Sequence, residues 1–516
     1  MKKQITSYFL SLLMVVSLVG VLPVLTASAD ISGDYAYEAL GDGTVKIIQY
    51  NGNAENLSIP ATIKGKKVTS IGINAFHSNY DLKAVKIPNN VKTLQPAAFA
   101  NCSNLSSVTL PSTLEQIQDD VFKSCYSLTS VNIPAKTTHL GSLAFNDCKK
   151  LTAINVNSAN TAYSSIDGIV YNKAGTTLIM APAGKPTVKI PSGVKAVADD
   201  AFLGSYLKSV TFPTTVTSIG LYSFSGCPNL TSVTLPNVTT IGSFAFEGCS
   251  NLSSVTIGSG VRTIDTGAFF NCPSLKSVLI PKTVKTIYPQ AFGFGSHYVN
   301  EDIEEYKIAG FVIYCYSGSA AVTYATKHGV KYKLILPKVT GFKVLGTSTN
   351  KVKLTCTKQS GAKGYIFYQY NASTKKWARI AKTTSNTYMV SNLRVGTTYK
   401  FGVKAYTTSG NTEISSFYYP TVTTSTKPAA VNFSVKAGSK KATLSWKNAA
   451  GVYGTKIYYK ASKNANWTGL ATTSGTSYTK TGLTSGKTYY FAVKAYRNVM
   501  GTIYNGPVTT KSVTVK

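Results

Sequence analysis

The sequence is poor in acidic residues and in histidine. Its 516 residues include 20 Asp and Glu against 53 Lys and Arg, and only four histidines, His77, His139, His297 and His328. None of these histidines belongs to an H-E-x-x-H motif or accompanies a serine in a nucleophile-elbow pattern. After residue 25 the chain also lacks an apolar run long enough to span a membrane. We therefore expect no enzyme, no catalytic residue, no metal site, no cofactor and no membrane insertion of the mature chain.

A phenylalanine instead returns along the chain at a nearly fixed step. The steps are 22 or 23 residues, apart from one of 57, and the positions are Phe76, Phe99, Phe122, Phe145, Phe202, Phe224, Phe246, Phe269 and Phe292. A period in the twenties is typical of a solenoid, in which each unit buries its apolar face only by stacking on its neighbours. This architecture favours a binding function over catalysis.

Each unit carries the pattern of a short half-buried strand. In the unit that opens at Leu105, Val108 and Leu110 alternate with Ser107 and Thr109. A proline follows at position 111 and ends the strand, because it cannot donate an amide hydrogen bond. Each coil is therefore predicted to add one parallel strand, about 4.8 Å from the last.

The unit resembles the leucine-rich repeats of bacterial BspA-like surface proteins, which read approximately L-x-x-V-x-I-P-x-x-V-x-x-I-x-x-x-A-F-x-x-C. The resemblance covers about residues 30–335. It implies an N-terminal cap over residues 30–58, with a hairpin turned at Gly41 to Gly43, and a hairpin insert over about residues 157–186, turned at Asn172 to Gly175. It also implies a C-terminal cap over about residues 297–335.

In that C-terminal cap, Ser319 is predicted to cap a short helix from Ala320 to Lys327, and Gly329 to follow its end. The acidic run nearby lacks the spaced ligands of a calcium loop. We interpret this run as a solvated loop: Glu301, Asp302, Glu304 and Glu305.

A second internal duplication, with an offset of 90 residues, fills the rest of the chain. "LRVGTTYKFGVKAY" at Leu393 matches "LTSGKTYYFAVKAY" at Leu483. Units of this length with short alternating strands predict β-sandwiches. The strings resemble fibronectin type III domains, which implies one domain at residues 336–427 and another at 428–516. Trp446 fills the early core position of that family, and we interpret Cys356 as its smaller replacement in the first copy. The expected fold class is thus mainly β, a leucine-rich repeat solenoid of about 23-residue repeats followed by two sandwiches.

The N-terminus has the features of a secretory signal peptide. Lys2 and Lys3 precede an apolar run from Tyr8 to Leu25, and Ala27-Ser28-Ala29 then precedes a predicted cleavage before Asp30. We therefore expect residues 1–29 to be removed and the protein to be secreted. Association with the cell surface is a further expectation, although the C-terminal residues contain no LPxTG motif for covalent attachment.

Positive charge is concentrated in the C-terminal third of the chain. From Leu336 onward, 27 Lys and Arg face one acid, Glu413, which gives +26; the preceding residues carry 26 basic and 19 acidic residues, or +7. Such a module attracts polyanions. Export makes nucleic acid an improbable target and leaves anionic cell-wall polymers or acidic glycans. Lys456, Tyr458 and Lys460 are the candidate polyanion contacts; alternatively, such lysines protect strand edges and the tyrosines fill the core.

Two other groups of polar residues recur along the repeats. The adjacent pairs Asp119–Asp120 and Asp199–Asp200 resemble paired carboxylates, but both precede a repeated phenylalanine, where an aspartate is suited to cap the following turn. We interpret them as structural. The outward strand positions form a flat, uncharged row of small polar residues. It is the candidate binding surface of the solenoid: Ser107, Thr109, Ser130, Asn132, Ser209, Thr211, Ser232, Thr234, Ser254 and Thr256.

Three functions are compatible with these features. In the first, the solenoid is an adhesin that recognises host extracellular proteins, mucosal glycans or other cells, and the basic sandwiches serve as spacer or surface attachment. In the second, the sandwiches bind the producer's own anionic cell wall and the solenoid is an exposed arm. In the third, the chain is a binding accessory of an extracellular hydrolase system, because fibronectin-like modules accompany such enzymes. We favour a non-catalytic surface binding protein.

The cysteines generate a first testable prediction. Six of the eight lie three residues after a repeated phenylalanine, at Cys102, Cys125, Cys148, Cys227, Cys249 and Cys272. Although alpha carbons on neighbouring coils lie close enough for a disulfide, an apolar column favours free thiols that pack as small hydrophobic groups. Alkylation of the denatured, unreduced protein should therefore modify all eight cysteines. A mass corresponding to fewer modified thiols would contradict the prediction.

Overall fold

A computed structural model describes residues 29–299, 302–409, 412–417, 419–448 and 451–516. The predicted signal peptide lies outside these residues, apart from Ala29. The chain divides into two compact units, one ending at Lys333 and the other beginning at Leu334.

The first unit opens with a cap of antiparallel strands. Its strands are β1 (Asp30–Ser32), β2 (Tyr35–Ala39), β3 (Val45–Tyr50), β4 (Asn56–Ser58), β5 (Thr62–Ile63) and β6 (Lys66–Ile71). β2 and β3 pair antiparallel around the turn at Gly41 to Gly43, which confirms the predicted hairpin. β3 then pairs in parallel with β6, so the cap passes directly into the solenoid.

Each coil of the solenoid contributes two strands that lie on two different sides. The first run of coils comprises β7 (Ala84–Lys86), β8 (Thr93–Leu94), β9 (Ser107–Thr109), β10 (Gln116–Ile117), β11 (Ser130–Ile133), β12 (His139–Leu140) and β13 (Ala153–Val156). The two-residue strands continue the sheet of the cap in the order β6-β8-β10-β12. The longer strands form separate parallel sheets, β4-β7-β9 and β11-β13. The prediction of one parallel strand per coil therefore missed the second, shorter strand.

The insert between Phe145 and Phe202, which accounts for the 57-residue step, contains three strands instead of the single predicted hairpin. They are β14 (Tyr163–Ile166), β15 (Ile169–Asn172) and β16 (Thr177–Met180). The turn between β15 and β16 lies where it was predicted, but β14 adds a second turn at Asp167 and Gly168. β16 pairs in parallel with the next coil and so begins a new solenoid sheet.

The second run of coils repeats the arrangement of the first. Its strands are β17 (Thr187–Lys189), β18 (Ala196–Val197), β19 (Ser209–Thr211), β20 (Ser218–Ile219), β21 (Ser232–Leu235), β22 (Thr240–Ile241), β23 (Ser254–Ile257), β24 (Thr263–Ile264), β25 (Ser277–Leu279) and β26 (Thr286–Ile287). The short strands form the order β16-β18-β20-β22-β24-β26. Together with the first run they make a mainly β solenoid of about 23-residue repeats.

The solenoid closes with strands and one helix. The elements are β27 (Phe294–Val299), β28 (Asp302–Lys307), β29 (Val312–Cys315), α1 (Ala320–His328) and β30 (Tyr332–Leu334). Gly329 ends α1 in the left-handed conformation, as predicted, whereas Ser319 precedes α1 without a side-chain capping bond. Glu301 lies outside the described residues, whereas Asp302, Glu304 and Glu305 lie on the exposed strand β28, so their assignment to a loop was wrong.

The repeated phenylalanines form two columns of stacked rings inside the solenoid. Ring centroids on successive coils lie 4.7 to 5.5 Å apart from Phe76 to Phe145 and 4.6 to 5.1 Å apart from Phe202 to Phe292. Tyr50 of the cap stacks on the first ring and Phe311 of the closing segment on the last. Such pairs contribute about 0.5–1.5 kcal/mol each beyond burial.

The six repeat cysteines form a second column beside the rings. Each thiol donates to the carbonyl oxygen of the phenylalanine on the preceding coil, with Sγ to O distances of 3.1 to 3.3 Å. All six are buried, which confirms their predicted placement. Burial raises the pKa of Cys102 and of Cys148 to about 12. The six buried thiols thus pack as small hydrophobic groups.

The second unit begins with a two-layered arrangement of strands. They are β31 (Lys343–Thr347), β32 (Val352–Thr355), β33 (Gly364–Asn371), β34 (Lys376–Thr383), β35 (Thr387–Val390), β36 (Thr398–Ser409), β37 (Thr412–Ser415) and β38 (Thr421–Ser425). One sheet has the order β31-β32-β35, and the other has β34-β33-β36-β37 with β38 also on β36. Buried residues of both sheets share one core, in which Cys356 packs as predicted.

The same arrangement recurs in the remaining strands. They are β39 (Phe433–Gly438), β40 (Lys441–Trp446), β41 (Gly454–Lys460), β42 (Thr468–Thr473), β43 (Ser477–Thr481), β44 (Thr488–Val499), β45 (Thr502–Asn505) and β46 (Thr509–Thr514). The sheet orders are β39-β40-β43 and β42-β41-β44-β45, with β46 on β44. Trp446 joins this core, and its indole nitrogen donates to Asn448.

The phenylalanine columns predict where the solenoid is most sensitive to substitution. Phe246 is fully buried between two stacked neighbours. Phe246→Ala should lower the free energy of unfolding by about 3–5 kcal/mol, because it leaves a cavity and removes two ring contacts. Urea denaturation of the full chain measures the change. Ile73, which is 59% exposed, supplies the control: Ile73→Ala should change stability by less than about 0.5 kcal/mol. Equal effects would contradict the role of the column.

Candidate binding surfaces

The predicted polar row lies on the outer side of the longer strands. All ten residues are exposed, and between them the apolar residues Val108, Val131, Val210, Val233 and Val255 point inward. Ser232 and Thr234 lie directly beside Ser254 and Thr256 in parallel register. The other members belong to three further sheets, β4-β7-β9, β11-β13 and β17-β19, so the row is divided into four segments. This surface offers hydroxyl and amide groups without charge or aromatic rings.

The third side of each coil is a turn that encloses the repeated phenylalanine, and we call it the turn face. Two residues before the phenylalanine, the backbone adopts the left-handed conformation in every coil, at Asn74, Ala97, Asp120, Leu143, Asp200, Tyr222, Phe244, Gly267 and Gln290. Asn, Asp and Gly tolerate this conformation, whereas bulky residues rarely adopt it. Ala97, Leu143, Tyr222, Phe244 and Gln290 therefore adopt it at a steric cost, and of these five only Tyr222 and Phe244 are aromatic.

The side chains of these two strained residues form an aromatic pair on the turn face. Their ring centroids lie 5.2 Å apart with an interplanar angle of 13°. The ring of Phe244 also meets Phe270 edge-on, and it fills the space where a side chain at Gly267 would lie. Both rings of the pair are partly exposed, and Leu221 beside them is 38% exposed. The residues Leu221, Tyr222 and Phe244 are called the aromatic patch below.

Sequence reasoning missed the aromatic patch because it considered only the strands. The available signal was the aromatic residue two positions before the repeated phenylalanine in two consecutive coils, where the other coils carry Asn, Asp, Gly, Ala, Leu or Gln. Partly exposed aromatic rings are typical anchors of protein interfaces, and the polar row has none. The patch is therefore the stronger candidate for an anchor on the solenoid.

The paired aspartates stabilise coil stacking, although not by the predicted capping of their own turn. Asp119 Oδ1 accepts a hydrogen bond from the backbone nitrogen of Ser142, and Asp199 Oδ1 accepts one from Leu221, each on the following coil. Asp200 accepts a further bond from the Ser142 hydroxyl, across the inserted strands. The pairs thus have structural partners, as expected, but those partners lie one coil further on.

The predicted polyanion contacts are brought together on one outer surface of the second unit. Lys456, Tyr458 and Lys460 alternate along β41, and Ile457 between them points into the core. Lys494 Nζ lies 5.1 Å from the Tyr458 ring, and Lys460 Nζ lies 5.1 Å from the indole of Trp467. The lysines and aromatic rings therefore form a contact network on the outside of the sheet instead of filling the core.

The residues that the structure describes contain no cluster of three or more His, Cys, Asp or Glu arranged to hold a metal ion. Within the same residues, no helix has both the length and the apolar character needed to cross a membrane.

Comparison with known proteins relates the solenoid to a described family. Residues 48–167 and 185–297 match the model of the BspA type Leucine rich repeat region in six copies, which confirms the resemblance for these ranges. A Kelch domain-containing protein of Sulfurisphaera tokodaii is 32% identical over 155 residues, or 30% of this chain. The match spans only 21% of the length of that curated relative.

Two solved structures are similar to the chain over part of its length. A leucine rich cell surface protein of Faecalibacterium prausnitzii is 24% identical, with 56% of this chain and 89% of that chain covered and a TM-score of 0.32. A two-domain fibronectin type-III segment of chicken tenascin is 15% identical, with 34% of this chain and 99% of that chain covered and a TM-score of 0.25.

Glu247 gives the turn face a predictable pH dependence. Burial raises the pKa of this carboxyl, while the hydroxyl of Ser225, 3.2 Å away, partly offsets the effect. The folded protein therefore disfavours the ionised form, and its stability falls as pH rises from the ordinary glutamate range through the higher folded pKa. Glu247→Gln should match the wild type near pH 4 and exceed it in stability at pH 7, as measured by urea denaturation.

A substitution of Ser225, the hydrogen-bond partner of Glu247, provides the opposite control. Ser225→Ala removes the hydrogen bond that stabilises the carboxylate, so its loss of stability relative to the wild type should be larger at pH 7 than at pH 4. A difference between Glu247→Gln and the wild type that is the same at both pH values would contradict the assignment.

Proposed function

We propose that this chain is a secreted, non-catalytic binding protein of the bacterial surface. In this proposal the BspA-type repeats recognise host extracellular proteins or glycans, and the C-terminal unit spaces the solenoid from an anionic surface or attaches it there. The carboxylates that resembled a catalytic pair are engaged in hydrogen bonds between coils, which supports a structural role for them. A repeated, rigid scaffold with variable outer residues is suited to binding extended partners.

The observation that carries the proposal is the pair of partly exposed aromatic rings at the aromatic patch. The left-handed conformation, with φ values of 50° at Tyr222 and 54° at Phe244, is common to this position in every coil and places both side chains on the turn face. Their rings do not complete the phenylalanine column, which is formed by Phe224 and Phe246. Partly exposed aromatic residues are the usual anchors of protein interfaces. The patch is therefore proposed as the recognition site, with the polar row as an alternative.

We also propose that the C-terminal unit consists of two fibronectin type III modules. Each half pairs a three-stranded sheet with a larger sheet around one core. In each half a tyrosine hydroxyl accepts a hydrogen bond from a backbone nitrogen five residues upstream, Arg394 to Tyr399 and Thr484 to Tyr489. This contact is the tyrosine corner of such sandwiches. The tyrosine corner and the matching strand order support the assignment.

The second candidate function, attachment to anionic cell-wall polymers, is favoured by the charge of these modules. Their 27 basic residues face a single acid, Glu413, which is already paired with Lys382. A surface whose positive charges have so few acidic partners attracts polyanions over long distances. This function is compatible with recognition by the solenoid, and it would also serve a binding accessory of an extracellular hydrolase.

The aromatic patch can be tested without disturbing the fold. Asn occupies the same left-handed position at Asn74, so Tyr222→Asn with Phe244→Asn relieves the strain while it removes both rings. We expect the free energy of unfolding to change by less than about 2 kcal/mol, because the strain relieved at two positions offsets the stacking and the partial burial lost with the two rings. Binding of the secreted full chain to immobilised mucin or fibronectin should weaken by at least about tenfold.

The polar row provides the matched comparison. Thr234→Ala with Thr256→Ala changes two exposed residues of neighbouring coils. Loss of binding in this variant alone would assign recognition to the polar row. Binding that survives in both variants would overturn the proposed role of the solenoid.

A further inference from the structure

The outer surface of the first fibronectin-like half carries an aromatic platform that the sequence analysis did not single out. Along β36, Phe401 and Val403 point into the core, so Lys400, Gly402 and Lys404 point outward. The aromatic side chains around this outer edge belong to β33, to β34 and to the segment before β38. They are Tyr368, Tyr370, Trp377 and Tyr419.

Trp377 lies across the sheet because the position beneath it is a glycine. The strand order β34-β33-β36 places one whole strand between Trp377 and Gly402. A Cβ atom at Gly402 would nevertheless come within 3.2 Å of the indole and 3.3 Å of Tyr419. The indole thus rests on the sheet over β33 and reaches β36, and Trp377 is partly exposed. The indole also stacks on the ring of Tyr419, with centroids 5.3 Å apart and an interplanar angle of 21°, so the partly exposed pair offers aromatic surface to another ring.

Two lysines flank this platform without an acidic partner. Lys400 Nζ lies 5.6 Å from the Tyr370 ring and 5.9 Å from the indole, and Lys404 Nζ lies 4.6 Å from the Tyr419 ring. The only acid of these modules, Glu413, pairs with Lys382 instead. Burial lowers the pKa of Lys404, as expected of an ammonium group that is partly desolvated without a nearby carboxylate. Both lysines are therefore available to an external anion.

The internal duplication shows that the contact between lysine and aromatic rings is retained when its residues change. With the offset of 90, Lys400 and Tyr370 correspond to Tyr490 and Lys460, so the two residue types have exchanged strands. Lys460 Nζ nevertheless lies 5.1 Å from the indole of Trp467 and 5.4 Å from the ring of Tyr490. The arrangement of an ammonium group over a tryptophan thus persists in both copies. The outer surfaces of both halves therefore carry the same kind of contact, made with different residues.

We propose that the platform of Trp377, Tyr419, Lys400 and Lys404 binds an acidic polysaccharide built of pyranose rings. The apolar face of a pyranose ring complements the indole, and its carboxylate or sulfate group complements the two lysines. A polyanion without rings would use the charge alone and would leave the aromatic platform unoccupied. This inference rests on the proposed attachment of the C-terminal modules to polyanions, and it specifies the ligand class and the residues.

Three soluble polymers separate the contributions of ring and charge. Polygalacturonate carries both, dextran carries neutral pyranose rings, and polyphosphate carries charge without rings. We expect the secreted full chain to bind polygalacturonate and polyphosphate in a salt-dependent manner and to bind dextran weakly. Trp377→Ala should weaken polygalacturonate binding about tenfold and leave polyphosphate binding unchanged. Biolayer interferometry over a sodium chloride series provides both the affinities and the salt dependence.

A lysine variant tests the same site without altering an aromatic residue. Lys400→Gln with Lys404→Gln should weaken polygalacturonate binding and reduce the slope of log affinity against log salt by about two. The matched control, Lys351→Gln with Lys353→Gln, removes the same charge from exposed positions at the other sheet, next to and within β32. It should weaken polygalacturonate binding less. Thermal unfolding of each variant verifies that the fold is retained.

The possible failures are distinguishable. If both lysine variants weaken binding equally and Trp377→Ala has no effect, the proposed role of the platform is wrong, although the result still supports electrostatic attachment. Strong, salt-independent binding to dextran would overturn the role of the lysines. If the wild type binds neither polyanion, the proposed attachment function itself fails.

Discussion

The spacing of about 4.8 Å between paired strands is the constraint on which the solenoid depends. It places each residue directly over its equivalent on the next coil, so each residue type in the repeat must make a favourable contact with the neighbouring coil. Phenylalanine does so by stacking, and cysteine does so by donating its thiol to the carbonyl of the ring column. Aspartate does so by accepting an amide of the following coil. The repeat thus recurs because each residue type satisfies the same contact again and again.

The same constraint explains which parts of the fold were predictable from the sequence. The columns of Phe and Cys follow from their period, and their burial was foreseen. The second short strand of each coil was not, because a pair such as Thr263–Ile264 is too brief to show alternation. The left-handed position two residues before each phenylalanine was missed as well, because the closure of the coil imposes it on Leu143 and Phe244 as readily as on Asn74. Local propensity cannot reveal a conformation that the neighbouring coils dictate.

The candidate sites were predictable to different degrees for a related reason. Lys456, Tyr458 and Lys460 lie on one strand, and their alternation alone places them on the same side. Trp377 and Gly402 lie on strands separated by a third, so only the assembled sheet shows that one residue covers the other. In the same way, Tyr222 and Phe244 meet only because successive coils stack. Sites made within one strand are visible in a sequence, whereas sites made between strands depend on register.

The inserted strands also affect how the solenoid holds together along its axis. Across the insert, the turn face remains joined by the bonds from Asn146 to Leu203 and from Ser142 to Asp200. The sheet of short strands, however, ends at β12 and restarts at β16. In a linear array, cooperativity extends only as far as each interface is strong. The insert is therefore a seam at which two blocks of coils can separate under tension, each with its sheet of short strands intact.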